Sequence, residues 1–175
     1  MPQRSATPEK LVCFAHGKES GPWGTKITHL AETARQRGFE VISPDYSHTH
    51  DPHARVAQLK ALAPQARCLV LVGSSMGAFV SGLASLERPV AGLFLMATPE
   101  SIPGCEVDFD VSPDVPTVLI HGWRDELCPL DDMYVFAERR QLPLLILDDD
   151  HRLSASVDAI AGQFRLFLES LAARA

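Results

Sequence analysis

The chain has 175 residues, which is enough for one sizeable hydrophobic core and short for two domains. Its formal net charge of −6 argues against nucleic acid or an anionic membrane as the main partner, because both require a basic surface. No apolar run approaches the roughly 20 residues that cross a bilayer, and the polar N-terminal stretch has no apolar signal core. These features predict a cytoplasmic globular protein.

Short apolar runs alternate with amphipathic stretches along the chain. The pattern predicts strands at 11–15, 39–43, 68–72, 90–97, 115–120 and 144–147, and helices at 25–37, 54–62, 76–86, 131–139 and from 157 onward. Strands and helices in this alternation form a parallel sheet with helices on both faces. We expect residues 1–9 to be a tail and residues 10–173 to form one α/β domain, a three-layer sandwich around about six parallel strands.

The segment Gly73-Ser74-Ser75-Met76-Gly77 follows the third strand and precedes a helix. It matches the G-x-S-x-G pattern, in which a strained turn projects the serine hydroxyl above the edge of the sheet. Glycine on both sides leaves room for the turn, and the N-terminus of the following helix favours a developing negative charge. We interpret Ser75 as a catalytic nucleophile. The alternative is a turn that only packs the helix on the sheet.

A serine nucleophile requires a base and an acid that orients the base. Asp125 lies after the fifth strand, and His151 lies after the sixth strand, directly before the last helix. The chain order Ser, Asp, His is that of the α/β-hydrolase triad, and all three residues lie after strands at one edge of the sheet. We therefore predict Ser75, Asp125 and His151 as the catalytic residues. An aspartate in the run 148–150 is the alternative orienting acid.

The oxyanion of an acyl-transfer intermediate requires backbone N–H donors. We expect one from Met76, directly after the nucleophile, and a second from Lys18 in the loop after the first strand. His16, Trp23 and Trp123 follow strands at the same edge and are candidates for the lining of an acyl pocket. The alternative for each tryptophan is a ring that packs a loop onto the domain.

Four cysteines occur without a C-x-x-C pair or a zinc-type spacing, which predicts reduced thiols and no structural metal. A second loop is rich in potential metal ligands: His48, His50, Asp51 and His53. Alternate spacing in a loop provides no fixed coordination geometry, so we expect a solvated loop or a pocket rim there. We predict no metal and no cofactor.

These motifs together resemble the α/β-hydrolase superfamily over residues 10–173. The matching features are His16-Gly17 after the first strand, the segment 73–77, His121-Gly122 with Asp125, and His151. In size and in its Gly-Ser-Ser-Met-Gly segment, the chain is similar to small bacterial esterases of the YqiA type and to the retinoblastoma-binding serine hydrolases. The resemblance implies a minimal version of the fold, without the two N-terminal antiparallel strands. The segment 98–114, where relatives often insert a cap, is too short for a cap domain.

The resemblance and the triad imply a serine hydrolase that cleaves a carboxylic ester or thioester of a small or surface-displayed acyl group. Amide substrates remain open, because a triad does not determine the leaving group. The alternative function is a binding or scaffold protein that keeps the fold but has little turnover, since a fold does not establish an activity. The oligomeric state also remains open.

Overall fold

Six strands and five helices lie within residues 7–174, the part of the chain that the computed structural model describes. In chain order they are β1 (Lys10–Ala15), α1 (Thr25–Gln36), β2 (Glu40–Ile42), α2 (Pro52–Leu62), β3 (Cys68–Ser74), α3 (Met76–Ser85), β4 (Gly92–Met96), β5 (Thr117–Gly122), α4 (Leu130–Arg140), β6 (Leu144–Leu147) and α5 (Val157–Ala172). Each bound lies within two residues of the one expected from sequence. Most of the proposed N-terminal tail, residues 1–6, lies outside the described residues.

All six strands form one parallel sheet in the order β2-β1-β3-β4-β5-β6. The predicted fold class is confirmed. The order reverses between β1 and β3, and in open α/β sheets ligands bind beyond the strand ends at such a point. The loops that follow β1 and β3 carry Lys18 and Ser75, so two of the candidate functional residues lie at this position.

Alternating side chains of the buried strands form two separate cores, one on each face of the sheet. Val12 and Phe14 of β1 face α1 and α5, whose apolar stripes include Leu30 and Phe164. The intervening strand residues, such as Leu11, face the other side, where α2, α3 and α4 pack. The molecule is therefore a three-layer sandwich, and its carboxyl edge holds the loops that sequence analysis singled out.

The segment between β4 and β5, residues 97–116, contains neither helix nor strand. Its buried anchor is Phe109, whose ring centroid lies 6.2 Å from that of Phe79 on α3 and 4.8 Å from that of Phe136 on α4. A side chain at Gly82 would collide with this ring, with Phe109 Cε2 at 2.3 Å from an ideal Cβ. The segment thus packs flat against the helices, and the expected absence of a cap domain is confirmed.

None of the helices within residues 7–174 is long and apolar enough to cross a membrane.

Gly77 provides a direct test of the packing between α3 and β1. A Cβ atom built there would lie 1.9 Å from the carbonyl oxygen of Ala15, so Gly77→Ala must push α3 away from the sheet. We expect this substitution to lower the free energy of unfolding by about 1–3 kcal/mol. The measurement is urea unfolding followed by circular dichroism.

Gly162→Ala in α5 is the matched control, because nothing lies within 4 Å of a Cβ at that position. Removing a glycine from a helix interior should raise the free energy of unfolding by about 0.5–1 kcal/mol. Equal effects of the two substitutions would contradict the close approach at Gly77.

Candidate active site

Ser75 occupies a strained turn between β3 and α3. Its backbone angles are φ 55° and ψ −123°, a region that residues other than glycine rarely adopt. The amide of Ser75 donates to the carbonyl oxygen of Met96 at the end of β4, at 2.9 Å, which fixes the turn to the neighbouring strand. The Ser75 side chain is only partly buried, so its hydroxyl is accessible at the carboxyl edge.

Ser75, His151 and Asp125 form a continuous hydrogen-bonded chain. His151 Nδ1 lies 2.8 Å from Asp125 Oδ2, and His151 Nε2 lies 3.0 Å from Ser75 Oγ. An ionised carboxylate only accepts hydrogen bonds, so Nδ1 carries the proton. Nε2 is then the free lone pair that accepts the Ser75 O–H. The structure therefore brings together all three predicted side chains in the arrangement of nucleophile, base and orienting acid.

The Asp125 carboxylate is fully buried and accepts hydrogen bonds at both oxygens. Oδ1 accepts from the amides of Leu127 at 3.0 Å and Cys128 at 2.8 Å. Burial alone would raise the pKa of this carboxyl. The bonds from His151 and the Cys128 amide outweigh that effect and hold the pKa of Asp125 below its ordinary value. The carboxylate is therefore charged and fixed when it orients the His151 ring.

His121 supports this carboxylate from inside the sheet. Its ring is buried at the end of β5, and Nε2 donates to the carbonyl oxygen of Cys128 at 2.7 Å. The same nitrogen lies 3.4 Å from Asp125 Oδ2. His121 thus fixes the turn that carries the acid. Sequence reasoning treated this histidine only as part of a family motif and missed its contact with Asp125.

The loops that carry Asp125 and His151 are joined directly through the backbone. The Trp123 amide donates to Leu147 O at 2.9 Å, and the Arg124 amide donates to Asp149 O at 3.0 Å. A Cβ at Gly122 would lie 2.5 Å from that same Asp149 carbonyl oxygen, so glycine permits the close approach. This contact sets the spacing between the acid and the base.

None of the aspartates at 148–150 takes the place of Asp125. The carboxylate of Asp148 pairs with Arg124, and that of Asp150 accepts from the Arg152 amide at 2.8 Å. Asp149 is buried and accepts from the amide of Asp150 at 2.8 Å. The three carboxylates therefore organise the loop around the base, whose ring bonds to Asp125 instead.

Lys26 connects the first turn of α1 to the loop that carries the base. Its Nζ donates to the carbonyl oxygen of Arg152 at 2.9 Å, one residue beyond His151. Burial lowers the pKa of the Lys26 ammonium to about 8, and the negative charges of Asp149 and Asp125 limit that fall. Lys26 was not anticipated from the sequence, since its partner is a backbone carbonyl from a distant loop.

The candidate oxyanion donors come from two elements next to Ser75, the candidate nucleophile. Met76 is the first residue of α3, so its amide has no acceptor within the helix. The loop after β1 passes close to Ser75, since a Cβ built at Gly17 would lie 3.5 Å from Ser75 Cβ. The Lys18 amide follows directly. Both donors remain predictions, and their surroundings agree with the role.

His16 does not line an open pocket, which corrects one sequence expectation. Its ring is fully buried. Nδ1 donates to the carbonyl oxygen of Gly17 at 2.8 Å, and Nε2 accepts from the Tyr46 amide at 2.9 Å. Burial lowers the pKa of His16, consistent with a neutral ring that both donates and accepts. The ring turned inward because two backbone groups satisfy it there.

The two tryptophans differ in their surroundings. The guanidinium of Arg35, in the last turn of α1, lies 5.8 Å from the centre of the Trp23 ring. The Trp23 side chain is exposed, and its place in the pocket lining stays a prediction. Trp123 is 63% exposed and follows β5 beside the acid loop, where Leu127 is 75% exposed. Trp123 remains a candidate for contact with an acyl group.

The histidine-rich loop at 48–53 does not form a metal-ligand cluster within the described residues. Asp51 caps the N-terminus of α2 by accepting from the His53 amide at 3.0 Å. Among residues 7–174, the one group with three potential ligands is Asp125, Cys128 and His151. Two of these three side chains already belong to the hydrogen-bonded chain with Ser75.

Comparison with known proteins identifies the family. The family model of the alpha/beta hydrolases matches residues 14–173. A crystal structure of a candidate hydrolase of the alpha/beta superfamily, from Xanthomonas campestris pv. campestris, is 35% identical in sequence. It covers 93% of this chain and 99% of its own, with a TM-score of 0.88. The chain belongs to the alpha/beta hydrolase family. It is, accordingly, a hydrolase.

Two further structures share the fold of this alpha/beta hydrolase at lower identity. Est1E from Butyrivibrio proteoclasticus is 16% identical, with a TM-score of 0.79 over 99% of this chain and 92% of its own. The esterase Pf2001 from Pyrococcus furiosus is 20% identical, with a TM-score of 0.73 over 95% of this chain and 83% of its own. No curated protein matches the sequence. The resemblance to the YqiA type stays a prediction.

The environment of Asp125 predicts a pH-dependent contribution to stability. Because the folded protein holds the pKa of this carboxyl below 3.8, the ionised group stabilises the fold above that pH. The contribution disappears as the pH falls through the folded pKa. We expect Asp125→Asn to lower the free energy of unfolding at pH 7 by about 1–3 kcal/mol. The difference from the unaltered protein should shrink towards pH 3 in urea titrations.

Asp114→Asn is the control, since Asp114 is exposed in the loop before β5. Its effect should stay within about 0.5 kcal/mol at either pH. A difference at Asp125 that is equally large at both pH values would contradict the proposed electrostatic origin.

Proposed function

We propose that this alpha/beta hydrolase is a serine hydrolase that cleaves carboxylic esters or thioesters through an acyl-enzyme intermediate. The observation that carries the proposal is the chain of hydrogen bonds from Ser75 through His151 to Asp125, with links of 3.0 and 2.8 Å. These distances suit proton transfer without rearrangement. The strained backbone of Ser75 supports the same assignment, since backbone strain of this kind is concentrated at functional sites.

In the first half of the reaction, Ser75 Oγ forms a bond to the carbonyl carbon of the substrate while His151 Nε2 takes its proton. The electron pair of the carbonyl bond moves to oxygen, and the amides of Met76 and Lys18 bind that oxyanion. The imidazolium is stabilised by the ionised carboxylate of Asp125. When the intermediate collapses, His151 gives its proton to the departing alkoxide or thiolate, and the acyl group remains on Ser75.

In the second half, a water molecule takes the position that the leaving group has vacated. His151 removes its proton while the water oxygen bonds to the acyl carbon. The second tetrahedral intermediate uses the same oxyanion donors. Its collapse breaks the bond to Ser75 Oγ, and His151 returns the proton to that oxygen. The products are the free carboxylic acid and the original enzyme.

The surroundings of Ser75 favour a small or surface-displayed acyl group. The segment 97–116 packs against α3 and α4 and does not form a cap. Trp123 and Leu127 are largely exposed at the rim. A long acyl chain would therefore find few side chains to cover it. Small acyl groups, or an acyl group on a larger molecule that stays in solvent, need no enclosed pocket.

Covalent labelling tests the nucleophile. A fluorophosphonate probe requires an activated serine, so we expect labelling of the unaltered protein at Ser75 and none in Ser75→Ala. Ser74→Ala is the matched control, because this neighbouring hydroxyl has no place in the hydrogen-bonded chain, and we expect labelling to persist. Peptide mapping by mass spectrometry identifies the modified residue.

Two outcomes would contradict the proposal. Labelling that survives in Ser75→Ala would exclude this residue as the nucleophile. An unaltered, folded protein that neither takes up the probe nor hydrolyses p-nitrophenyl esters would favour a binding or scaffold role of the same fold.

The open site also predicts the acyl-chain preference. We expect kcat/KM for p-nitrophenyl esters to be highest for acyl chains of about two to four carbons, because further methylene groups remain in solvent and add no binding energy. The measurement is a series of esters from acetyl to dodecanoyl below their aggregation limits. A steady rise in kcat/KM up to the longest chains would disprove an uncovered acyl site.

A further inference from the structure

The loop after β1 contains one peptide group that matters for the proposed chemistry. The carbonyl oxygen of Gly17 and the N–H of Lys18 belong to the same planar, trans unit and point in opposite directions. Whatever holds the Gly17 oxygen therefore sets the direction of the Lys18 N–H. Because this loop passes beside Ser75, the direction of that N–H decides whether it reaches an oxyanion formed there.

Arg55 of α2 holds this peptide group on its carbonyl side, opposite the Lys18 N–H. Its Nη1 donates to the carbonyl oxygens of His16 at 3.0 Å and Gly17 at 3.2 Å, and its Nε donates to Thr49 O at 2.9 Å. The Gly17 oxygen also accepts from His16 Nδ1. Two donors on one carbonyl polarise the peptide group, which makes its N–H a stronger donor.

The burial of Arg55 is costly for the fold. The side chain is fully buried, with its guanidinium 5.7 Å from the ring centre of Tyr46. Within residues 7–174 it forms no ion pair with a carboxylate, and its buried Nη2 has no hydrogen-bond partner. A buried cation without a counter-ion destabilises a protein, and an apolar side chain of similar volume would cost less. Two of its three hydrogen bonds instead fix the loop after β1, which passes beside Ser75.

We propose that Arg55 is a positioning residue for the oxyanion hole, holding and polarising the Gly17–Lys18 peptide so that the Lys18 N–H faces the oxyanion. The proposal rests on the proposed function of Ser75. Arg55 does not touch the substrate. Its effect reaches the reacting atoms through one peptide group, and its positive charge lies on the side of that peptide away from the oxyanion.

Steady-state kinetics provides the first test, with Arg55→Met, Arg55→Lys and the control Arg140→Met. Arg140 also donates to a backbone carbonyl, that of Val111 at 2.8 Å, but near the end of α4. With p-nitrophenyl acetate, we expect Arg55→Met to lower kcat about 100-fold and to change KM less than about threefold. Arg55→Lys keeps the charge without the planar fork, so we expect a loss of about tenfold. Arg140→Met should retain the unaltered kcat.

A spectroscopic readout separates positioning from a merely structural role. A trifluoromethyl ketone labelled with ¹³C at its carbonyl carbon forms a hemiketal with Ser75. The former carbonyl oxygen becomes the hydroxyl of this hemiketal, and that hydroxyl ionises to an oxyanion. The ¹³C chemical shift of this carbon, followed against pH, reports the pKa of the hemiketal hydroxyl in the protein that has bound the ketone. We expect the pKa to be higher by about one unit or more in Arg55→Met, because a displaced Lys18 N–H stabilises the oxyanion less. Arg55→Lys carries this test if the methionine variant does not fold.

The outcomes distinguish this inference from the proposed function. Failure of the unaltered protein to react with the fluorophosphonate probe would remove the proposed function itself. Labelling of the unaltered protein together with an unchanged kcat and hemiketal pKa in both Arg55 variants would overturn the role of Arg55 alone. A fall in kcat without a rise in the hemiketal pKa would also overturn it, since the loss would then arise elsewhere.

Discussion

The approach of α3 to the end of β1 is the contact on which the candidate site depends. Gly77 allows the first turn of the helix to lie directly against the carbonyl oxygen of Ala15. Gly73 similarly leaves room for the backbone of Ala78, which would lie 2.5 Å from a Cβ. Only with the helix this close can the chain reverse at Ser75 in a single residue. The positive φ of Ser75 is thus a consequence of packing, and the sheet-to-helix contact offsets its strain.

The same contact brings the two candidate oxyanion donors together. The N-terminal amide of α3 and the loop after β1 come from different elements, and the close approach at Gly77 sets their separation. Strain recurs at this edge of the sheet, where Ala97 after β4 and the buried Leu153 after His151 also have positive φ values of 48° and 56°. Backbone amides such as those of Ser75 and Ala97 bond to neighbouring strands. The edge is therefore rigid where the proposed reaction needs fixed positions.

Much of this arrangement could be predicted from the sequence, because a parallel sheet delivers the residues after its strands to one edge. Ser75, Asp125 and His151 each follow an apolar run, and their order along the chain agreed with a known triad. Whether a side chain that follows a strand turns into the protein or towards the site could not be predicted in the same way. His16 also follows a strand, yet its ring turns into the protein because Gly17 O and the Tyr46 amide satisfy both nitrogens.

The role of Arg55 was missed because its partners are backbone oxygens from two loops. Every residue has a backbone carbonyl group, so the sequence does not show which of them accepts a hydrogen bond. A weaker signal was present. Pro52, Arg55 and Leu59 form the buried face of α2, with the spacing of three and four residues that marks one side of a helix. An arginine on such a face requires acceptors inside the protein. The contact of Lys26 could not be predicted for the same reason, since its acceptor is the backbone carbonyl of Arg152.

The lack of a cap over the described segment 97–116 also affects which substrates the site can recognise. Where relatives often insert a cap, this chain has a segment anchored flat by the Phe109 ring. The covering that would enclose a substrate is absent from the described residues 97–116, so binding must come from the rim and from the reacting group itself. An enzyme with little ground-state binding depends more heavily on interactions made only in the transition state. The rigid backbone next to the proposed oxyanion site, which Arg55 holds, is the part of this molecule suited to supply them.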